Sequence, residues 1–229
     1  MKESQDPIES IVQNLKNKSC VKQKTYNHLC SAFEEILKSG KKVVKEIKNK
    51  TEGIDHDFTV DFKKISNREF HIKVAGDLVV FVLHTNIITF AQEHTIIKSK
   101  YVGEDENRRY FGQIMIYNFM ADSVKYNRMK DSGYLLGRVL INYENHFFVE
   151  GEGQLNFMFN DISSNQPISK LDVDVIVKLA ITTAIKSDLI IPPFQEIKRI
   201  TLYDKLESTQ SMGGGRKIGF QMSYNNKVS

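Results

Sequence analysis

The side chains in this sequence best placed to do chemistry are Arg138, Asn142, Glu150 and Glu152. They fall in two apolar runs, 134–143 and 147–159, separated by Glu144, Asn145 and His146. With those three residues as a hairpin loop, Tyr143 opposes Phe147, Ile141 opposes Val149 and Val139 opposes Gly151 on the core face. The same register sets Arg138 against Glu152 and Leu140 against Glu150, and it predicts an outer polar column of Glu150, Glu152, Gln154 and Asn156. Paired carboxylates do acid and base work when one of them is desolvated. In water the same groups form a cross-strand ion pair of little energetic weight. Gly151 and Gly153 alternate with the glutamates and leave space on the opposite face for a close-packed element or a bound group.

Other chemistries lack a diagnostic pattern. The six histidines, His28, His56, His71, His84, His94 and His146, include no pair one helical turn apart. Only folding could assemble His56 with Asp57 and Asp61, or His84 with His94. No serine sits in a G-x-S-x-G elbow, and neither Cys20 nor Cys30 has a nucleophile signature. Gly213–Gly215 followed by Arg216 and Lys217 lacks the spacing and setting of a phosphate-binding loop. No cofactor is expected.

Two further surfaces are suited to recognition. Lys38, Lys41, Lys42, Lys45 and Lys48 fall largely on one side of a predicted helix, where with Arg216 and Lys217 they could contact successive phosphates; Glu34, Glu35 and Glu46 dilute that field. The polar insertion 121–133 carries Tyr126, Asn127 and Arg128, residue types enriched at binding sites, where a long hairpin connection leaves the sheet.

The elements that position these groups are read from hydrophobic period. Residues 7–50 read as helix with a break near Asn17–Ser19, and Leu29, Phe33, Ile36, Leu37, Val44 and Ile47 mark the docking face. At position 56 the period drops to two. A turn at Ser66, Asn67 and Arg68 sets Phe62 against Ile72, Val60 against Val74 and Asp61 against Lys73. Strands are then predicted over 78–90, central in the sheet, and over 93–102, 110–120, 134–143 and 147–159, with 103–109 as a charged loop. Ser169 and Asp172 resemble a capping box that opens a buried helix over 171–185. Pro192 and Pro193 end the segment after that helix, 197–206 forms a strand or helical turn, and alternation at Ile218, Phe220 and Met222 suits an edge strand in a loose tail.

The fold class is therefore α+β: an N-terminal helical segment (1–54), an antiparallel meander of about six to eight strands with a buried helix near its end (55–207), and a tail (208–229). A net charge of +4, from 32 basic and 28 acidic residues, neither requires nor excludes nucleic acid. The longest apolar run, Leu78–Leu83, has six residues against the roughly 20 needed to cross a bilayer. Met1–Gln13 lacks a secretory h-region, and Cys20 and Cys30 lie about 15 Å apart along one helix, beyond disulfide reach. These features predict a cytosolic protein without membrane contact. The function expected first is a non-enzymatic module that binds a protein partner or small polar ligand through its sheet face and the 121–133 loop. A nucleic-acid-associated protein and a hydrolase using the Glu150 and Glu152 pair are the alternatives.

Overall fold

The computed structural model describes residues 6–54, 58–129, 131–155, 166–190 and 216–217. Asp6 caps the first helix by accepting a hydrogen bond from the Ile8 amide, with Pro7 at the first helical position, where its missing N–H costs nothing. Helix α1 (Pro7–Asn14) passes through a π-helical turn (Leu15–Ser19) into α2 (Cys20–Thr51). The break expected near Asn17–Ser19 is this turn, which re-phases the helix without ending it.

Beyond the turn, α2 buries Leu29, Ala32, Phe33, Ile36, Val43 and Val44. Gly40 lies on the same face because a β-carbon there would stand 3.1 Å from the Phe70 ring and 3.2 Å from Ile72. Gly112 likewise lets a strand run against Leu29, whose nearest side-chain atom would be 2.8 Å from an added β-carbon.

Among the described residues the sheet has six antiparallel strands in sequential order: β1 (Val60–Ser66), β2 (Glu69–Val74), β3 (Asp77–Leu83), β4 (Gly112–Met120), β5 (Tyr134–Ile141) and β6 (Phe147–Gly151). The β1–β2 pairing is the expected one, with Val60 against Val74, Asp61 against Lys73 and Phe62 against Ile72. Alternating hydrophobicity fixes register when one face is buried, since a one-residue slip would put Phe62 and Val60 in water. Strand β3 lies inside the sheet as predicted.

Helix α5 (Lys170–Lys186) packs with α2 over the inner face. Ser169 accepts from the Asp172 amide while Asp172 accepts from the Ser169 amide, which is the anticipated capping box. The main core joins Leu29, Phe33 and Ile36 of α2 to Phe70, Phe81, Ile114 and Val139 of the sheet and to Ile176, Val177 and Ala180 of α5.

Three strand expectations are corrected. The 78–90 strand stops at Leu83, and the 93–102 strand does not form. Residues 84–109 instead leave the sheet through turns, a short helix α3 (Lys100–Glu104) and a 3-10 turn (Glu106–Arg109). Local side-chain caps decide this: Ser99 accepts from the Val102 amide, Asp105 from the Asn107 amide and His94 Nδ1 from the Ile96 amide. The charged stretch 103–109 is the end of that excursion.

The third correction concerns β6, which ends at Gly151. At Gly153 the backbone turns into the left-handed region (φ +55°), and the Glu152 amide bonds back to the Leu136 carbonyl. Asn156, the 197–206 element, Pro192, Pro193, Gly213–Gly215 and the Ile218–Met222 alternation lie outside the described residues. A two-residue pair, β7 (Leu189–Ile190) with β8 (Arg216–Lys217), forms a separate ladder. Among the described residues no helix is long and apolar enough to cross a membrane.

Candidate functional site

The β5–β6 hairpin carries most of the predicted side chains, and its register differs from the expected one by two residues. Ile141 pairs with Phe147, Val139 with Val149, Arg138 with Glu150 and Gly137 with Gly151. The loop spans Asn142–His146 because the Asn142 side chain builds it: its Oδ1 accepts from the amides of Glu144 and His146, each at 3.0 Å. Asn145 takes a left-handed conformation (φ 63°), which asparagine tolerates better than most residues. A slip of two preserves facing, so Arg138 still shares a face with Glu150.

That outer face is not uniformly wet. The 84–109 excursion folds over its β4–β6 end and makes a second core from Ile96, Tyr101, Val102, Phe111, Leu140 and Phe148. Leu140 and Phe148, apolar at positions expected to face water, are the sequence signal of a cover. At the edge of this cover, Glu150 Oε2 accepts from Arg138 Nε at 2.5 Å, and its other oxygen lies 3.4 Å from His94 Nε2. Phe90 stacks on the His94 ring with centroids 4.1 Å apart, and the Arg138 guanidinium lies 5.5 Å from the Phe90 centroid. The cluster is closed on itself, each charge answered by its neighbour.

Glu152 is not part of it. Strand β6 has ended, so the polar column and the Glu150 and Glu152 pair are not assembled as expected. The space at Gly151 is taken by close packing, the first of the two expected uses: a β-carbon there would stand 3.0 Å from the Leu155 β-carbon and 3.0 Å from the Leu136 carbonyl oxygen.

Asn142 belongs to a different and more deeply placed network. It is fully buried, and its Nδ2 donates to Tyr101 Oη at 2.6 Å. Tyr101 in turn donates to Glu144 Oε2 at 2.6 Å. Arg108 donates to Glu144 and to the Tyr101 carbonyl, with its guanidinium 4.4 Å from the Tyr101 ring centroid. The His146 ring stacks on Tyr101 with centroids 5.4 Å apart, and Tyr143 donates to Asp105. Sequence reasoning misses six residues of this set, Tyr101, Asp105, Arg108, Tyr143, Glu144 and His146. Their contacts span 36 positions between Arg108 and Glu144 and 43 between Tyr101 and Glu144, beyond the reach of any local pattern. The network clamps the excursion to the hairpin.

Its electrostatics set a pH dependence. Burial holds the His146 imidazole below its ordinary value against the pull of Glu144, and burial with the nearby Lys24 ammonium does the same to His28. Burial also works against the charge of Glu144, but hydrogen bonds from Tyr101 and Arg108 outweigh it and hold that carboxyl low. Hydrogen bonds from Tyr143 and from Lys42 with Ser39 hold Asp105 and Asp174 low. Burial, reinforced by Asp105, pushes the Tyr143 hydroxyl up to about 12.

Below pH 6.5 the unfolded chain protonates these two histidines while the folded chain resists, so the unfolded state binds more protons and stability falls with acid. The lowered carboxylates extend the loss as pH falls further. Urea midpoints are expected to be level between about pH 7 and 9 and to decline steadily below about pH 6.5. His146→Gln should flatten the upper part of that decline, and an unchanged slope would contradict the assignment.

The 121–133 loop is closed from within. Its first turn is a short helix, α4 (Ala121–Lys125); Ser123 donates to Asp131 at 2.6 Å, and the Arg128 amide bonds to the Ser123 carbonyl at 2.8 Å. Asn127 provides the left-handed turn (φ 53°). Tyr126 is 54% exposed and Met129 85%, and Lys125 and Arg128 stand 4.8 and 5.2 Å from the Tyr126 ring centroid. Gly133 passes so close to the Phe119 ring that a β-carbon would meet it at 2.2 Å, which ties the loop to the outer sheet face.

The lysine face of α2 is largely occupied. Lys38 pairs with Glu35 at 2.7 Å, Lys42 with Asp174 at 2.8 Å and Lys48 with Asp61 at 3.2 Å. Lys41 and Lys45 lie on the same helix, and Arg216 and Lys217 form β8, their side chains outside what is described.

His84 and His94 sit in separate turns, His84 Nδ1 accepting from the Asn86 amide and not facing a hairpin partner. His56 and Asp57 lie outside the described residues, and Asp61 is the partner of Lys48. Among the described residues no group of three or more histidine, cysteine or acidic side chains could hold a metal ion. No protein-family model, no curated protein and no solved structure matches the chain.

Proposed function

We propose that this chain is a cytosolic, non-enzymatic interaction module that recognises a protein partner through the outer sheet face and the 121–133 loop. One observation carries the reading: the part of the outer face left by the excursion is a continuous apolar surface that ends at the loop. Val80 stands beside Tyr117 and Tyr117 beside Leu135, while Val82 stands beside Met115, all on that face. Val82, Met115, Tyr117 and Phe119 are half-buried, and Leu135 is exposed. The Arg138–Glu150 and His71–Glu69 pairs bound it, Ala121 at the start of the loop packs with it, and Val124, Tyr126 and Met129 are exposed further along the loop. Half-buried aromatic and methionine side chains with an adjacent arginine make a typical protein-binding composition.

The polar groups favour a protein over a small polar ligand. Arg138 and Glu150 are already paired with each other through Nε and Oε2, and Asn142 is spent on the hairpin beneath. Lys125 and Arg128 around Tyr126 suit a partner segment that mixes apolar and acidic residues. Nucleic acid is the weaker reading because Lys38, Lys42 and Lys48 are already paired. The hydrolase reading is weaker still because β6 ends at Gly151, before Glu152 can stand on the strand beside Glu150. Two free thiols, Cys20 and Cys30, suit a reducing compartment.

The test is a photo-cross-linking residue in place of Tyr126, in cells that make the protein. A discrete protein adduct is expected, and it should fall at least about tenfold when Met129→Glu and Arg128→Ala are added, as for loss of a binding hot spot. An adduct of undiminished yield would remove the loop from the surface, and the absence of any adduct would remove the partner.

A further inference from the structure

Helix α1 has no buried residue, and the first buried side chain of the helical segment is Thr25, well beyond the π turn. The helix is nevertheless strongly amphipathic. Ile8, Ile11 and Val12 of α1, with Leu15 where the π turn begins, recur at the spacing of one helical stripe, and all four are exposed. Where the arm joins the body, Lys18 and Lys22 reach over the Tyr110 ring at 5.8 and 5.3 Å from its centroid. The arm is anchored at its C-terminal end and presents its apolar stripe to solvent.

The charges beside the stripe say what fits it. Glu9 and Lys16 are seven positions apart, so they lie on the same flank, one near each end of the stripe. Two copies related by a two-fold axis passing between Ile11 and Val12 run antiparallel. Ile8 then meets Leu15 of the second copy and Ile11 meets Val12. An antiparallel pair also brings like flanks together, which sets each Glu9 beside the other copy's Lys16. A parallel pair brings opposite flanks together and takes both contacts away. The acidic start of α1, Asp6 and Glu9, and the basic π turn that follows it, with Lys16 and Lys18, give the same polarity along the arm.

We infer that α1 is a self-association element: two copies of this chain pair through antiparallel α1 helices, the stripe Ile8, Ile11, Val12 and Leu15 buried between them and two Glu9–Lys16 ion pairs setting the direction. The contact is small, so the dimer is reversible and depends on concentration. It uses no residue of the 121–133 loop and stands or falls separately from the partner surface there.

Sedimentation equilibrium of the full chain over a wide concentration range tests it. The native chain is expected to shift from one chain mass towards two as concentration rises. Ile11→Asp should abolish the shift, with far-ultraviolet circular dichroism unchanged because the position is exposed. Glu9→Lys should weaken the dimer about three- to tenfold, the reach of two surface ion pairs turned repulsive. Combining Glu9→Lys with Lys16→Glu should restore it to within about twofold, since the swapped charges meet again across the axis. One chain mass at every concentration would overturn the inference, as would a dimer indifferent to Ile11→Asp or a double swap no tighter than Glu9→Lys alone.

Discussion

Asn142→Leu is expected to lower stability by about 3 kcal/mol or more, although leucine fits the buried volume and would ordinarily be welcome in a core. The loss comes from what the amide holds. Its oxygen accepts from two backbone amides, those of Glu144 and His146, and its nitrogen donates to Tyr101. Leucine leaves two N–H groups without acceptors in a site where Asn142 is fully buried. Asn142→Asp keeps the acceptor oxygens but cannot donate to Tyr101 and sets a second carboxylate near Glu144, so it should fall between the two and improve at lower pH relative to Asn142→Leu. Urea unfolding measures the global cost. Hydrogen exchange at the Glu144 and His146 amides measures the local one, and both should exchange far faster in Asn142→Leu. Protection equal to the native protein would show that the hairpin loop does not depend on this side chain.

Phe70→Ala is expected to cost about 3–5 kcal/mol, a large fraction of the roughly 5–15 kcal/mol that holds a domain folded. Phe70 is fully buried and stacks on Phe81 with centroids 4.6 Å apart and planes within 7°. It also meets Phe62 at 5.4 Å and Phe33 at 5.6 Å, and it fills the space that Gly40 leaves on α2. Removing the ring therefore opens a cavity where strand and helix touch, between neighbours already held by their own packing. Phe70→Leu should recover more than half of the loss, measured as the shift in urea midpoint at constant slope. A cost below about 1 kcal/mol for Phe70→Ala would show that this region collapses around the deletion.

How far these features can be read in the sequence depends on whether their cause is local. Val60, Phe62, Ile72 and Val74 alternate with charged residues, so a single register satisfies both burial and the Asp61–Lys73 pair, and that register is found. The Ser169 and Asp172 box and the docking face of α2 are equally local. The β5–β6 register escapes such a reading because the loop length depends on one side chain folding back onto its own backbone. The 93–102 segment has the composition of a strand, yet capping side chains at Ser99 and Asp105 and the burial of Tyr101 against Leu140 and Phe148 make it a cover. Of the candidate site, Arg138 sharing a face with Glu150 is legible in outline. Phe90 and His94, which complete that cluster, come from the two segments, 78–90 and 93–102, whose strand pattern misleads, and Asn142 is legible as a polar residue but not as an interior one.

The strictly sequential strand order has a consequence for synthesis. Each strand pairs with the one made just before it, so the sheet can assemble hairpin by hairpin as the chain leaves the ribosome. The inner layer is different: α2 is made at the start, and α5, which shares the core with it, emerges only at Lys170–Lys186. Until then Phe81, Ile114 and Val139 lack their second helical neighbour, and a nascent chain halted before α5 should cling to chaperones and precipitate when released. Completion of one late helix, rather than gradual accumulation of strands, marks the moment at which this polypeptide becomes safe from aggregation.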